Sequence, residues 1–183
     1  MKNKTPLFRK TPIIKAKAFT LRPPRLNDVS DLVRILNDPQ ISRFMSRLPY
    51  PYRQSDALEF IKKSQKFQRG VSEFAWVFAI EKDQQLIGMV SLRKIIPGHK
   101  AEIGYWLSRA YWGQGIMTAA VKIITRLAVS EFKICRLAAH VYKANPASRR
   151  VLEKNGFKVE GLLRKGLKKK GRFIDVYQLA KVK

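Results

Sequence analysis

The order of elements along the chain predicts a mixed α/β domain, a sheet with helices on both of its faces. Three observations carry that reading. Apolar alternating runs at 74–80 and 85–92, and again at 159–163 and 173–182, are separated by polar connectors and read as antiparallel strand pairs. A further run, Ile103, Tyr105 and Leu107, leads into a helix whose inward face is Met117, Ala120, Val121, Ile124, Leu127 and Ala128, spaced i, i+3, i+4, i+7. The length of 183 residues suits one well-buried domain and is short for two.

Residues 1–18 hold Lys2, Lys4, Arg9, Lys10, Lys15 and Lys17 with two prolines and no clear period. They read as a basic N-terminal arm or lead-in, so the domain is expected to run from 19 to 183. Lys15 and Lys17 also interrupt the apolar residues around them, which prevents a secretory core from forming. Phe19–Arg22 is the first strand, halted by Pro23-Pro24. A helix comes next, capped by Asn27 or Asp28, lined by Val29, Leu32, Val33 and Leu36, and stopped at Asp38-Pro39. Residues 39–54 read as irregular but too apolar for an idle loop, with Phe44, Met45, Leu48, Tyr50 and Tyr52 among three prolines and three arginines. Ser55 caps a second helix that places Leu58, Ile61 and Phe67 inward and ends near Gly70.

The strands 74–80 and 85–92 flank 81–84 as a hairpin. Pro97-Gly98-His99 turns the chain into the strand of Glu102, with His99 facing solvent. Cys135, the single cysteine, can form no internal disulfide and reads as a core residue of an apolar strand. Leu137–Tyr142 is another strand. Asn145-Pro146-Ala147-Ser148 offers a cap and a proline at the first helical position, and Asn155-Gly156-Phe157 ends that helix with a glycine. Residues 164–172 join the last two strands.

Between the strand ending at Leu107 and its helix lies Gly113-Gln114-Gly115. A glycine turn that opens a helix aims several unpaired backbone N–H groups at one spot, and the helix dipole adds partial positive charge there. Such a turn can hold a phosphate, although two glycines alone also describe an ordinary strand-to-helix turn.

The run Trp112-Gly113-Gln114-Gly115-Ile116-Met117 resembles motif A of the GNAT acyl-CoA N-acyltransferases, Arg/Gln-x-x-Gly-x-Gly/Ala. Trp112 stands where Arg or Gln is usual and Met117 where a small residue is usual. Both, with Ala101-Glu102-Ile103-Gly104-Tyr105-Trp106, look like the RimJ/RimL branch that acetylates protein N-termini. A second motif of the family, Asn-x-x-Ser-(x)7-Gly-Phe, is matched by Asn145, Ser148, Gly156 and Phe157. The resemblance extends from Phe19 to the end of the chain. It implies a GNAT-type, mostly antiparallel sheet of about six to seven strands with helices on both faces. Acetyl-CoA is implied as co-substrate, with no metal, held by Trp106, Leu107, Ser108, Gly113, Gln114, Gly115, Ile116, Met117, Thr118 and Asn145. The segment between the first two helices is implied to shape the acceptor pocket, or else simply to cover the core.

The family's reaction is direct attack of an amine on the thioester in a ternary complex. It needs a neutral amine, a donor for the developing oxyanion and an acid for the leaving thiolate. Glu102, on the strand leading to the turn, resembles in placement the catalytic glutamate of the histone-acetylating branch; a strand carboxylate paired with Lys or Arg is the alternative. His140 is the second candidate base, at the strand position where the ribosomal N-terminal acetyltransferase RimI, which this chain resembles there, carries a glutamate, and an unperturbed imidazole titrates at about 6.5. For the acid, many relatives use a tyrosine where this chain has Leu152. Ser148 resembles instead the serine that RimL-like enzymes place near the CoA sulfur, and it also suits a first helical turn. The glutamate proposed as base in RimL-like enzymes corresponds to Leu167. At about 1.36 kcal/mol per pKa unit, neutralising a lysine at pH 7 costs roughly 4.6 kcal/mol and an α-amine roughly 1.1 kcal/mol. A protein N-terminal α-amine, with a ribosomal protein as one source, is therefore the expected acceptor.

The net charge of +25 favours polyanionic partners and salt-dependent binding, and it exceeds what a CoA thioester calls for. Proximity to a ribosome or to nucleic acid is one explanation; a solvated basic surface is the other. No apolar run approaches the roughly 20 residues of a membrane span. With one cysteine and no secretory core, a cytoplasmic location is the default expectation, and the chain is expected to be a monomer or a homodimer. A small-molecule amine as acceptor, a CoA-binding protein without catalysis, and a basic nucleic-acid-binding module built around Lys168-Lys169-Lys170, Phe173 and Tyr177 are the alternatives to exclude.

Overall fold

Local sequence rules place most elements of the computed structural model, which describes residues 11–46, 48–68 and 76–183. Eight strands form one sheet: β1 (Ile14–Lys15), β2 (Thr20–Arg22), β3 (Trp76–Lys82), β4 (Gln85–Ile96), β5 (Lys100–Leu107), β6 (Arg136–Tyr142), β7 (Lys158–Lys169) and β8 (Arg172–Val182). The helices are α1 (Val29–Leu36), α2 (Pro39–Ser42), α3 (Gln54–Gln68), α4 (Ile116–Phe132) and α5 (Pro146–Glu153), with short 3₁₀ turns at Leu26–Asp28 and Arg109–Tyr111. Strand order across the sheet is β1-β2-β3-β4-β5-β6-β8-β7. Every neighbouring pair is antiparallel except β5 and β6.

Period-two alternation sorts the strand residues onto two faces. Trp76, Phe78 and Ile80 of β3, Val90 and Leu92 of β4 and Ile103 of β5 pack with the inward stripe of α4, where Ala120, Val121, Ile124 and Ala128 are fully buried. Val77, Ala79, Leu86 and Met89 face the other way, against Leu32, Ile35 and Leu36 of α1 and Ala57 and Ile61 of α3. Helices thus cover both faces, as the alternation predicts.

The sheet exceeds the expected six to seven strands because it starts inside the residues read as an arm. Ile14 pairs with Leu21 and Lys15 with Thr20, and Ile14 and Ala16 pack on the core. Lysines alternating with small apolar residues hid that edge strand; residues 1–10 lie outside the described ones. Residues 39–42, read as irregular, form α2, because the Asp38 carboxylate accepts the Gln40 amide (2.8 Å) and Pro39 occupies the first turn. Helix α3 starts one residue before Ser55, and the Arg53 amide donates to the Asp56 carboxylate (2.7 Å), so Ser55 is not its cap. Leu58, expected inward, is exposed; Ala57, Ile61 and Ser64 take the buried face. Phe67 falls in the segment whose side chains are not described.

Cys135 is a further correction. It sits just before β6 and is exposed, not in the core, with its thiol against the His99 carbonyl (3.0 Å). The connector 164–172 is largely strand as well. Lys170 and Gly171, at φ 47 and 78, close a tight two-residue turn, and the basic residues either side of it, Lys169 and Arg172, continue the ladder.

Candidate active site

The turn before α4 is built as a cradle of backbone amides. Gly113 and Gly115 sit at φ 78 and 76, the left-handed region that favours glycine. A Cβ built on either meets no atom within 4 Å. No side chain caps α4, whose first bond runs from the Ala119 amide to the Gly115 carbonyl (3.0 Å). The amides of Gly113 to Thr118 accordingly have no acceptor among the described residues. Unpaired N–H groups at the positive end of a 17-residue helix make an anion site. Two bonds brace it: the Trp112 indole N–H donates to the Leu107 carbonyl (2.8 Å), and the Gln114 amide side chain to the Ala110 carbonyl (3.1 Å). Ser108, buried, ties the strand end down through its amide to the Ile87 carbonyl (2.7 Å).

Below the cradle the sheet opens. β5 and β6 pair only through Lys100, Ala101 and Glu102 with Arg136, Leu137 and Ala138. Beyond them β5 continues to Leu107 and β6 to Tyr142 with no ladder between. Facing backbone edges inside a sheet are costly to leave unpaired. They offer an extended ligand with amide groups a place to add as a strand would.

Tyr105 and Ser148 meet across this wedge. The Ser148 hydroxyl donates to the Tyr105 oxygen (3.0 Å), and the Tyr105 hydroxyl donates to the Ser148 carbonyl (3.0 Å). Ser148 is positioned by its amide, which donates to the Asn145 side-chain oxygen (3.1 Å) at the N-cap of α5. That cap occupies the side-chain oxygen of Asn145, expected as a cofactor contact. Burial pushes the Tyr105 phenol well above its ordinary pKa, and the Ser148 hydrogen bond only partly offsets this. Tyr105 is therefore a neutral donor at any working pH. Sequence reasoning missed it as a site residue, because it alternates with Ile103 and Leu107 like any inward position. A polar-tipped aromatic on the strand that feeds the glycine turn was the available signal.

Glu102 and His140 stand on the other face of the sheet from Tyr105, in step with Trp106 and Tyr142 by alternation. Glu102, at the closed end of the wedge, receives the Lys94 ammonium (2.8 Å). His140 is exposed, opposite Gln178 on β8. The structure thus unites Ser148 with Tyr105 and the turn with the wedge, and sets both candidate bases apart from them. Leu107 is buried, while Trp106 is half-buried against the α1 and α3 side.

The far end of the wedge is walled by the segment 39–52. Phe44 meets Tyr142 edge-on at 6.0 Å between ring centres. Among the described residues the buried Tyr142 hydroxyl has no hydrogen-bond partner, and burial raises its pKa. The Lys169 ammonium donates to the Ser42 carbonyl, so the tip of the β7–β8 hairpin closes this side. Among the described residues no cluster of three His, Cys, Asp or Glu could hold a metal ion.

Comparison with known proteins bears on this geometry. The profile of the Acetyltransferase (GNAT) domain matches residues 18–158. The probable N-acetyltransferase YjcK of Bacillus subtilis strain 168 is 34% identical over 173 residues, 92% of this chain and 96% of the relative. The ribosomal-protein-serine acetyltransferase of Escherichia coli strain K12 is 34% identical over 116 residues, 63% of this chain and 63% of the relative. Among solved structures, Mycobacterium smegmatis RimJ in complex with CoA-disulfide aligns with a TM-score of 0.77 at 25% identity, over 90% of this chain and 81% of that one.

Proposed function

Since the chain belongs to the GNAT family of acetyl-CoA-dependent N-acetyltransferases, alongside RimJ/RimL-like relatives, we propose that it acetylates the N-terminal α-amine of a protein, with a ribosomal protein as acceptor. One observation carries the reading: an unpaired amide cradle opens onto a wedge in the sheet, and the wedge is crossed by a Tyr–Ser pair. The amides of Gly113 to Thr118 fit the diphosphate of acetyl-CoA, and the open edges of β5 and β6 fit the two amides of its pantetheine arm. The thioester end then reaches Tyr105 and Ser148.

The acceptor amine enters past Phe44 and Tyr142 and attacks the thioester carbonyl carbon. A C–N bond forms; as the tetrahedral intermediate collapses the C–S bond breaks, and the sulfur takes its proton from the Ser148–Tyr105 pair. The amine's proton leaves on the opposite face, through water, to Glu102 or His140. An α-amine suits this arrangement because little free energy is needed to make it neutral near pH 7. A cytoplasmic setting fits the use of acetyl-CoA, and among the described residues no helix is long and apolar enough to cross a membrane.

The test is thiol release from acetyl-CoA with peptides matching the N-termini of ribosomal proteins, followed by mass spectrometry of the product. Acetate on the α-amine, absent when that amine is blocked, supports the reading. Transfer confined to lysine side chains or small amines contradicts it. Glu102→Gln and His140→Ala, assayed across pH, divide the base role: the responsible variant loses the lower pH limb of kcat/KM.

A further inference from the structure

The two walls at the acceptor end carry the same sign of charge. Among the described residues of 39–55, Arg43 and Arg53 are cationic and none is Asp or Glu. Residues 161–174 contain Arg164, Lys165, Lys168, Lys169, Lys170 and Arg172, again with no Asp or Glu. These walls are joined: Lys169 donates to the Ser42 carbonyl, and the Lys170 ammonium lies 4.5 Å from the Tyr50 ring centre. The acids at their margins are already engaged. Asp38 caps α2 and pairs with Arg109 at 3.7 Å, Asp56 accepts the Arg53 amide (2.7 Å), and Asp175 accepts the Lys165 amide (2.9 Å) with Lys143 at 4.0 Å.

Resting on the reading of the site as an N-terminal acetyltransferase, we infer that its acceptor is a protein whose N-terminal segment is acidic, drawn to the cationic surface that the described residues of segment 39–53 and the β7–β8 hairpin tip form together. Carboxylates just after the reacting amine meet Arg43 on one side and Lys168, Lys170 and Arg172 on the other. The same field disfavours a protonated amine, so it helps deliver the acceptor in the neutral form that attacks. Lys169 registers this field: burial and then the neighbouring Lys170 hold its ammonium below its ordinary pKa.

The aromatics decide against a nucleic acid as occupant. Single strands are gripped by stacking bases on open rings. Here Phe173, although 60% exposed, has the ammonium groups of Lys165 and Lys168 over its ring at 5.8 and 5.6 Å. Arg43 covers Phe44 at 4.6 Å and Lys170 covers Tyr50. Each of these rings seats a cation, so none offers an open face on which a base could stack. Polycationic small amines are repelled from the same surface.

The experiment compares peptides that share one N-terminal residue and differ only in the charge of residues two to five, acidic, neutral or basic, by thiol release at low and high ionic strength. The acidic peptide is expected to exceed the neutral one in kcat/KM by about tenfold at low salt, as steering by a charged cleft does, with the advantage shrinking as salt rises. In the double variant Lys168→Gln, Arg172→Gln, both exposed residues, the acidic-to-neutral ratio falls severalfold; unchanged circular dichroism shows that the fold persists. Equal rates on all three peptides, or preference for the basic one, overturn the inference while leaving N-terminal acetylation intact. So does inhibition of the acidic-peptide reaction by a short single-stranded RNA at physiological salt with tighter apparent affinity than the peptide. No thiol release with any peptide overturns the parent reading and this one with it.

Discussion

Strand β6 has two edges with opposite fates. Toward β8 every one of its residues, Arg136 to Tyr142, is in register with a partner, from Val182 to Val176. Toward β5 the ladder stops after Ala138. One edge uses its hydrogen bonds within the chain; the other leaves them open, and the proposed function gives them to the coenzyme. The same contrast separates the two ends of α4. Its C-terminus is closed by Lys133 at φ 55, whose amide bonds back to the Val129 carbonyl (3.1 Å), whereas its N-terminus has no side-chain cap. Unpaired groups at the wedge and at the helix start adjoin one another, which marks them as one site.

Substitutions can break this contrast from either side. Leu179→Ala, at a fully buried position on the paired edge, is expected to cost about 2–5 kcal/mol of stability in denaturant unfolding. The folded fraction should still bind acetyl-CoA with the wild-type affinity. Gly115→Val acts on the open side, forcing a β-branched residue to φ 76 and bending the cradle. Calorimetry should show acetyl-CoA affinity lowered about 100-fold, as for loss of an aligned donor set. Tyr105→Phe removes the proton donor but keeps the ring. Its kcat should drop about tenfold, below the usual range for such groups because Ser148 remains to donate, while the KM for acetyl-CoA holds.

The smallest effect concerns pH. Burial, and next the nearby Asp56 and Glu59, push the Tyr52 phenol up to about 12. In the unfolded chain it titrates near 10. Its proton is thus held more tightly in the folded state, so its contribution is complete below about pH 10 and is lost as pH rises toward 12. Tyr52→Phe should flatten the alkaline limb of a stability profile.

What could be read from sequence was local. The glycine turn, the α4 stripe and the Asn145 cap each follow from neighbours in the chain, and the two family motifs set their order. The wedge could not be read, because it is a failure of pairing between strands separated by the whole of α4. Tyr105 stayed hidden for that reason: its partner Ser148 is 43 residues away, and alternation alone made it core. β1 and the long β7–β8 hairpin escaped because lysines at strand edges resemble solvated loop. Cys135 misled through the apolar residues beside it.

The central claim, that the backbone of this open edge and turn is where the coenzyme binds, is tested most directly by residue-resolved amide hydrogen exchange with and without acetyl-CoA. The amides of Gly113–Thr118 and of the open stretch of β5 should become protected on adding the coenzyme, while those of β8 stay as they were. Protection spread evenly over both edges of β6, or absent from the turn although the coenzyme binds, would contradict it.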